Sequence, residues 1–193
     1  TISIAIPTYK APPDLLRRCL NSIHTQTFKD FDIVMMEDFE GKGMGWGTNQ
    51  VIQNAEGKLI KILYQDDYFA HENALQIIVD NFLDEDNWLV TACTHTTGNP
   101  HYPRYNENIH RGINTIGSPS VLTIRNKDPL LFEPQLNWVL DCDYYKRLYI
   151  KYGEPKIVNN INVVIGIGEH QTTHRLSEEY KKSEIKYLIE KYS

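Results

Sequence analysis

A single α/β domain, with a mostly parallel central sheet and helices on both faces, is the fold this 193-residue sequence predicts. Two features point there. Short β-branched apolar runs alternate with amphipathic segments in the order strand, helix, strand, helix, which implies crossover connections between parallel strands. The first three runs also end abruptly in proline or in paired acids, the punctuation of a strand that reaches the rim of a sheet.

Ile2 to Ile6 is the first such run, stopped by Pro7. After Pro12-Pro13, Asp14 is placed to cap a helix whose apolar face is Leu15, Leu16, Cys19, Leu20 and Ile23. Phe31 to Met36 reads as a second buried strand closing on Glu37-Asp38, Thr48 to Ala55 as a short helix, and Lys58 to Tyr64 as a third strand closing on Asp66-Asp67. His71 to Leu83 aligns Leu75, Ile78 and Phe82 on a helix face, and Trp88 to Cys93 is a fourth strand. The second half is less regular. Thr97 to Gly112 is a long polar loop, a type of segment that is usually functional or mobile. Val121 to Ile124 reads as a strand, Asp141 to Tyr152 as a helix, Ile157 to Ile167 as extended chain and Ser177 to Tyr192 as a final helix. No repeat or interdomain linker interrupts residues 1–193. The expected division is a first half at 1–95, a second at 96–175 and a C-terminal helix at 176–193.

Composition narrows the function. A hydrophobic fraction of 41% and a charged fraction of 23% suit a globular domain, and a net charge of −5 without Lys or Arg runs disfavours nucleic acid as a partner. Three widely spaced cysteines with no C-x-x-C pair indicate neither a disulfide framework nor a zinc ribbon. No apolar run is long enough for a transmembrane segment and no signal peptide is visible, so the expectation is a reduced, cytoplasmic chain, with room for peripheral association with a membrane.

The chemistry concentrates at "ILYQDDYF", residues 62–69. Two ionised carboxylates 4 Å apart at an effective dielectric near 20 repel by about 4 kcal/mol. A hard divalent cation such as Mn²⁺ or Mg²⁺, which prefers oxygen ligands, would turn that cost into binding. The plain alternative is an Asp capping a turn before the next helix. Ligands of open α/β sheets bind beyond the carboxyl ends of the strands. Pro7-Thr8-Tyr9, Glu37-Asp38 and Asp66-Asp67 all fall there and should gather on one rim.

Other patterns carry less. The alternating glycines of "EGKGMGWG", residues 40–47, match neither the P-loop nor the dinucleotide fingerprint, and a flexible loop is preferred over a phosphate cradle. "HQTTH", residues 170–174, has spaced histidines without the Glu of a zinc protease, leaving His170 as a single ligand beside the default of surface histidines. Asp141 at a helix start is most often a cap.

Taken together, these residues resemble a family-two glycosyltransferase of the GT-A, Rossmann-like fold. "SIAIPTYKAPPDLLRRCLNSIHTQTF" is similar to that family's first strand, loop and helix, and "FDIVMMEDFEGKG" to its second strand with terminal acids. "GTNQVIQNAEGKLIKILYQDDYF" is similar to its Asn-containing helix and acidic metal motif, and "LNWVLDCDYYKRL" to its later acidic segment. The likeness runs from Thr1 to about His174.

What the resemblance implies is a metal-dependent, inverting hexosyltransferase that moves a sugar from a nucleotide-sugar, a UDP-sugar first, to an acceptor hydroxyl. It places Pro7, Thr8, Tyr9, Glu37, Asp38, Asn49 and Asp66 against the nucleotide-sugar. Asp67 and His170 would hold Mn²⁺ or Mg²⁺, and Asp141 would be the general base. The acceptor would be a glycan, a lipid-linked molecule or a protein. Tyr64 and Leu140 depart from the family pattern at acidic positions, and Thr48 stands where the family often has Arg, so a phosphate-binding charge must come from elsewhere, with Lys10, Lys42 and Arg111 as candidates. The segment 97–112 is expected to form a lid or acceptor wall, with His95, Tyr102, Tyr105 and Trp138 as stacking surfaces. Rivals are an inactive nucleotide-sugar or carbohydrate-binding module and a sugar-nucleotide nucleotidylyltransferase. The loop "PTYKAPP" disfavours the second, because it lacks that class's Gly- and Arg-rich signature.

Overall fold

The computed structural model describes residues 1–168 and 176–193. Seven strands form one sheet in the order β2-β1-β3-β6-β5-β7-β4. They are β1 (Ile2–Thr8), β2 (Phe31–Glu37), β3 (Leu59–Ile62), β4 (Tyr68–Phe69), β5 (Trp88–His95), β6 (Leu122–Arg125) and β7 (Lys156–Ile165). β1 pairs in parallel with β2 and β3, and β5 with β7, while β6 runs antiparallel between β3 and β5 and β4 antiparallel to β7. Hence β2, β1, β3, β5 and β7 point one way, and their carboxyl ends form a common rim.

The helices are α1 (Pro13–His24), α2 (Met44–Gln53), α3 (Ala74–Asn81), α4 (Leu140–Tyr152) and, at the C-terminus, α5 (Glu178–Lys191). α1 buries Cys19 and Ile23, as its apolar spacing requires. α2 packs on β1 and β2, and α3 on β7. The core is the apolar sides of β1, β3, β5 and β6, reinforced by Phe132 stacked on Tyr144 at 3.9 Å and by Trp88 beside Tyr145.

Because β1 leads outward to β2 and the chain then returns across β1 to β3, the strand order reverses between β1 and β3. Such a reversal opens the crevice in which α/β sheets bind ligands.

Three local differences from the sequence expectations have physical causes. α2 starts at Met44, so Gly45 and Gly47 lie inside a helix and not in a flexible loop. Gly45 is tolerated because the backbone of Glu133 passes 3.0 Å from where its Cβ would sit. The third strand ends at Ile62, since Tyr64 to Asp67 closes a turn in which the Asp67 amide donates to the Tyr64 carbonyl at 3.0 Å. Finally, the segment 97–112 is pinned: His101 exchanges backbone hydrogen bonds with Cys93, Arg104 donates to Thr115, and Tyr105 stacks on Tyr149 at 3.9 Å.

Candidate functional site

A cavity of about 530 Å³ opens on the rim. That is the size range of small-molecule sites. Its walls come from the end of β1 (Pro7, Thr8, Tyr9, Lys10), the end of β2 (Asp38), the turn after β3 (Tyr64 to Asp67), and the start of α4 with the chain before it (Asn137, Trp138, Leu140, Asp141). Most of the residues nominated from sequence therefore converge. Glu37 and Asn49 do not. Glu37 is exposed and faces a separate shallow depression with Met35 and Phe39, because the alternation of β2 turns it away from Asp38. The Asn49 amide is buried, donating to the Phe132 carbonyl at 2.9 Å and accepting from the Phe132 amide at 2.7 Å. Asn49 thus clamps the chain that leads to α4. Of the four proposed stacking residues, Trp138 lines the cavity, whereas His95, Tyr102 and Tyr105 do not. His170 lies outside the described residues.

The two acids of the turn differ in setting. Asp67 is 2% exposed and accepts from the Gly166 amide at 2.8 Å and from the Ser120 hydroxyl. Burial, followed by the neighbouring Asp66 charge, pushes its carboxyl well above the ordinary range. Behind it in β3 lies Lys61, wholly buried, whose amine donates to the Ser120 and Leu122 carbonyls. Burial pushes this amine down to about 7, and Asp67 opposes that shift. Asp66 is half-buried, and its carbonyl accepts from Arg18 at 2.8 Å. Gly166 is obligatory here: a Cβ would meet the Asp66 carbonyl oxygen at 2.5 Å.

Asp38 is the other buried acid, at 4% exposure. One oxygen accepts from the Gly43 amide at 2.9 Å, and its Oδ1 has no hydrogen-bond partner among the described residues. An unpartnered buried carboxylate oxygen costs a few kcal/mol unless a donor from water or a ligand reaches it. Gly43 itself has φ 108°, a conformation open to glycine at little cost. On the β1 side, Gln65 accepts from the Tyr9 amide at 2.8 Å and donates to the Tyr9 carbonyl at 3.1 Å. This pair ties the first loop to the acidic turn. Lys10, next along, holds a left-handed φ of 43° and is the only Lys or Arg lining the cavity among the described residues. Such a backbone costs a non-glycine residue about 1–2 kcal/mol.

Across the cavity, Asp141 sits in the first turn of α4 and not at its cap. It accepts from Asn114 Nδ2 at 2.7 Å and from the Cys142 amide at 2.8 Å. Burial pushes its carboxyl up to about 6, although both hydrogen bonds favour the charged form. A carboxylate so placed is ionised at neutral pH and is a competent proton acceptor.

Among the described residues, no group of three or more His, Cys, Asp or Glu side chains is arranged to hold a metal ion. The donors at the acidic turn are hard oxygens on adjacent carboxylates, which fits an ion completed by substrate phosphates and not a closed protein cage.

Sequence reasoning missed Gln65, Lys61, Ser120 and Asn114. Lys61 alone left a trace, as a cation inside the apolar run "LIKIL".

No family model matches this chain, and no curated protein does. Solved structures do. S. aureus TarS 1–349 superposes with a TM-score of 0.69 at 17% identity, over 86% of this chain and 60% of that one. The complex of TarS 1–349 with UDP gives 0.69 at 15% identity, over 98% and 70%. A mannosyltransferase from Pyrobaculum calidifontis, PcManGT, in complex with GDP-Man and Mn²⁺, gives 0.61 at 14% identity, over 90% and 58%. At these identities the likeness defines the fold: a single GT-A-like α/β domain shared with glycosyltransferases. The chain spans 60–70% of the length of these TarS 1–349 structures. No helix among the described residues is long and apolar enough to cross a membrane.

Proposed function

We propose that this domain is an inverting glycosyltransferase of the family-two type, taking a sugar from a nucleotide-sugar, a UDP-sugar first, to an acceptor hydroxyl with help from a divalent cation. The observation that carries this is a single cavity with the acidic turn on one wall and a neutral-pH base, Asp141, on another. The neighbours add weight: TarS is seen with UDP and with UDP-GlcNAc, and PcManGT with GDP-Man and Mn²⁺.

In this reading the base and ribose lie against Pro7, Thr8 and Tyr9, and Asp38 Oδ1 accepts from a nucleoside N–H or O–H. Lys10 meets the diphosphate. Asp67, with His170 as a further candidate, would hold Mn²⁺ or Mg²⁺ beside the donor phosphates, and Asp66 would lie against the nucleotide-sugar. When bound, the cation supplies charge neutralisation for the departing diphosphate. Asp141 takes the proton from the acceptor hydroxyl as its oxygen bonds the anomeric carbon and the bond from that carbon to the diphosphate oxygen breaks. One displacement inverts the anomeric configuration. Trp138 offers an apolar face beside Asp141, suited to a sugar ring.

The test is hydrolysis or transfer from a panel of nucleotide-sugars, with Mn²⁺, Mg²⁺ or chelator. Turnover of at least one donor that stops on chelation is expected. A chain that neither binds nor turns over any of them contradicts the proposal.

A further inference from the structure

α4 begins without a cap of its own. Its N-cap position is Val139, which makes no side-chain cap hydrogen bond, and Asn137 and Trp138 form the bend that leads into it. Uncompensated amides at a buried helix end are costly. They are satisfied from far along the chain: Glu184 of α5, 5% exposed, accepts from the Asn137 amide at 2.8 Å, the Trp138 amide at 2.9 Å and the Val139 amide at 3.1 Å. A carboxylate at a helix N-terminus also opposes the positive end of the helix dipole.

The rest of the α5 face holds the same segment. Tyr180 accepts from Asn137 Nδ2 at 2.8 Å, and the Lys181 amine lies 5.6 Å from the Trp138 ring centre. Lys191 and Tyr192 both donate to the fully buried Asp143, at 2.8 and 2.7 Å. The segment so gripped carries Asn137, Trp138, Leu140 and Asp141, a whole wall of the cavity.

We infer that Glu184 is a positioning residue: through the capping of α4 it fixes Asp141 and Trp138 relative to the donor wall, so α5 completes the active site without touching substrate. This inference rests on the proposed glycosyl transfer for its kinetic part and on hydrogen bonding alone for its structural part. Misplacing a catalytic group by about 1 Å can cost about 100-fold in rate. The donor wall, built from β1, β2 and the turn after β3, does not pass through Glu184.

The experiment compares wild type with Glu184→Ala and Glu184→Gln, using Tyr187→Phe as a control on the same helix. Tyr187 lies outside the cavity, and its hydroxyl accepts a 3.3 Å hydrogen bond from Gln135. At a temperature where each variant is folded, amide hydrogen exchange is read at residues 137–139, UDP affinity by calorimetry with Mn²⁺, and kcat for transfer or donor hydrolysis. Glu184→Ala should exchange those amides at least 10-fold faster and lose 10- to 100-fold in kcat with UDP affinity unchanged within twofold. Glu184→Gln, which keeps one acceptor oxygen, should fall between, and it serves as the reporter if the Ala variant does not fold. Tyr187→Phe should match wild type. Unchanged exchange, unchanged kcat, or a parallel fall of affinity and kcat would overturn the inference. Failure of wild type to bind any nucleotide would instead reject the proposed function, and unchanged exchange at residues 137–139 would still reject the capping role.

Discussion

Replacing Asp141 by Asn gives the sharpest single perturbation, because it changes stability and rate in opposite senses. The Asp141 carboxyl is pushed up to about 6 from an ordinary 3.8. Between these values the folded chain holds a proton that the unfolded chain has released, so wild-type stability falls as pH rises through that window. At about 1.36 kcal/mol per pH unit the gap amounts to about 3 kcal/mol. Water in the cavity screens part of it, so about 2–3 kcal/mol is the expected loss between pH 4 and pH 7. The amide of the Asp141→Asn variant does not titrate. Any fixed cost, such as a donor facing Asn114 or the Cys142 amide, shifts the variant's curve without tilting it. The assay is urea unfolding of both proteins at half-unit pH steps, plotted as the difference in unfolding free energy. That difference should move by about 2–3 kcal/mol in favour of Asp141→Asn as pH rises, while transfer falls by about 10²–10⁴. A difference that stays flat with pH would refute the reasoning about burial.

Other expectations follow from the same walls. Asp38→Asn removes the acceptor at the unpartnered oxygen and should weaken donor binding by about tenfold, read by calorimetry, with kcat little altered. Lys10→Gly relieves the left-handed backbone, so the melting temperature should hold or rise while KM for the donor increases. A fall in stability with KM unchanged would contradict the role given to Lys10. Gly166→Ala drives a Cβ into the Asp66 carbonyl and should cost about 1–3 kcal/mol in unfolding free energy along with donor affinity; wild-type values for both would contradict the close approach.

Much of the architecture was legible because it depends on local pattern. The β-branched runs at Ile2–Thr8 and Phe31–Glu37 and the 3.6-residue periodicity of α1 are encoded within a few residues, and acids just past strand ends must meet once the strands run parallel. What escaped was long-range. Glu184 lies 45 residues from the amide of Val139, and Asn114 lies 27 residues from Asp141, with nothing local to mark either pairing. The resemblance implies a ligand contact for Asn49, and nothing local marks its pairing with the Phe132 backbone, 83 residues away. The two-residue β4 is too short to carry an alternating pattern, and exists because Tyr68 and Phe69 pair with β7.

Donor binding in the proposed mechanism turns on Asp67 acting with a cation at the donor phosphates. Calorimetric titration of UDP into wild type and Asp67→Ala, each with Mn²⁺ and with chelator, addresses this directly. Saturable binding to wild type that weakens at least tenfold on chelation, and equally in Asp67→Ala with Mn²⁺ present, is the predicted result. Equal UDP affinity in all four titrations, or none in any, would contradict it.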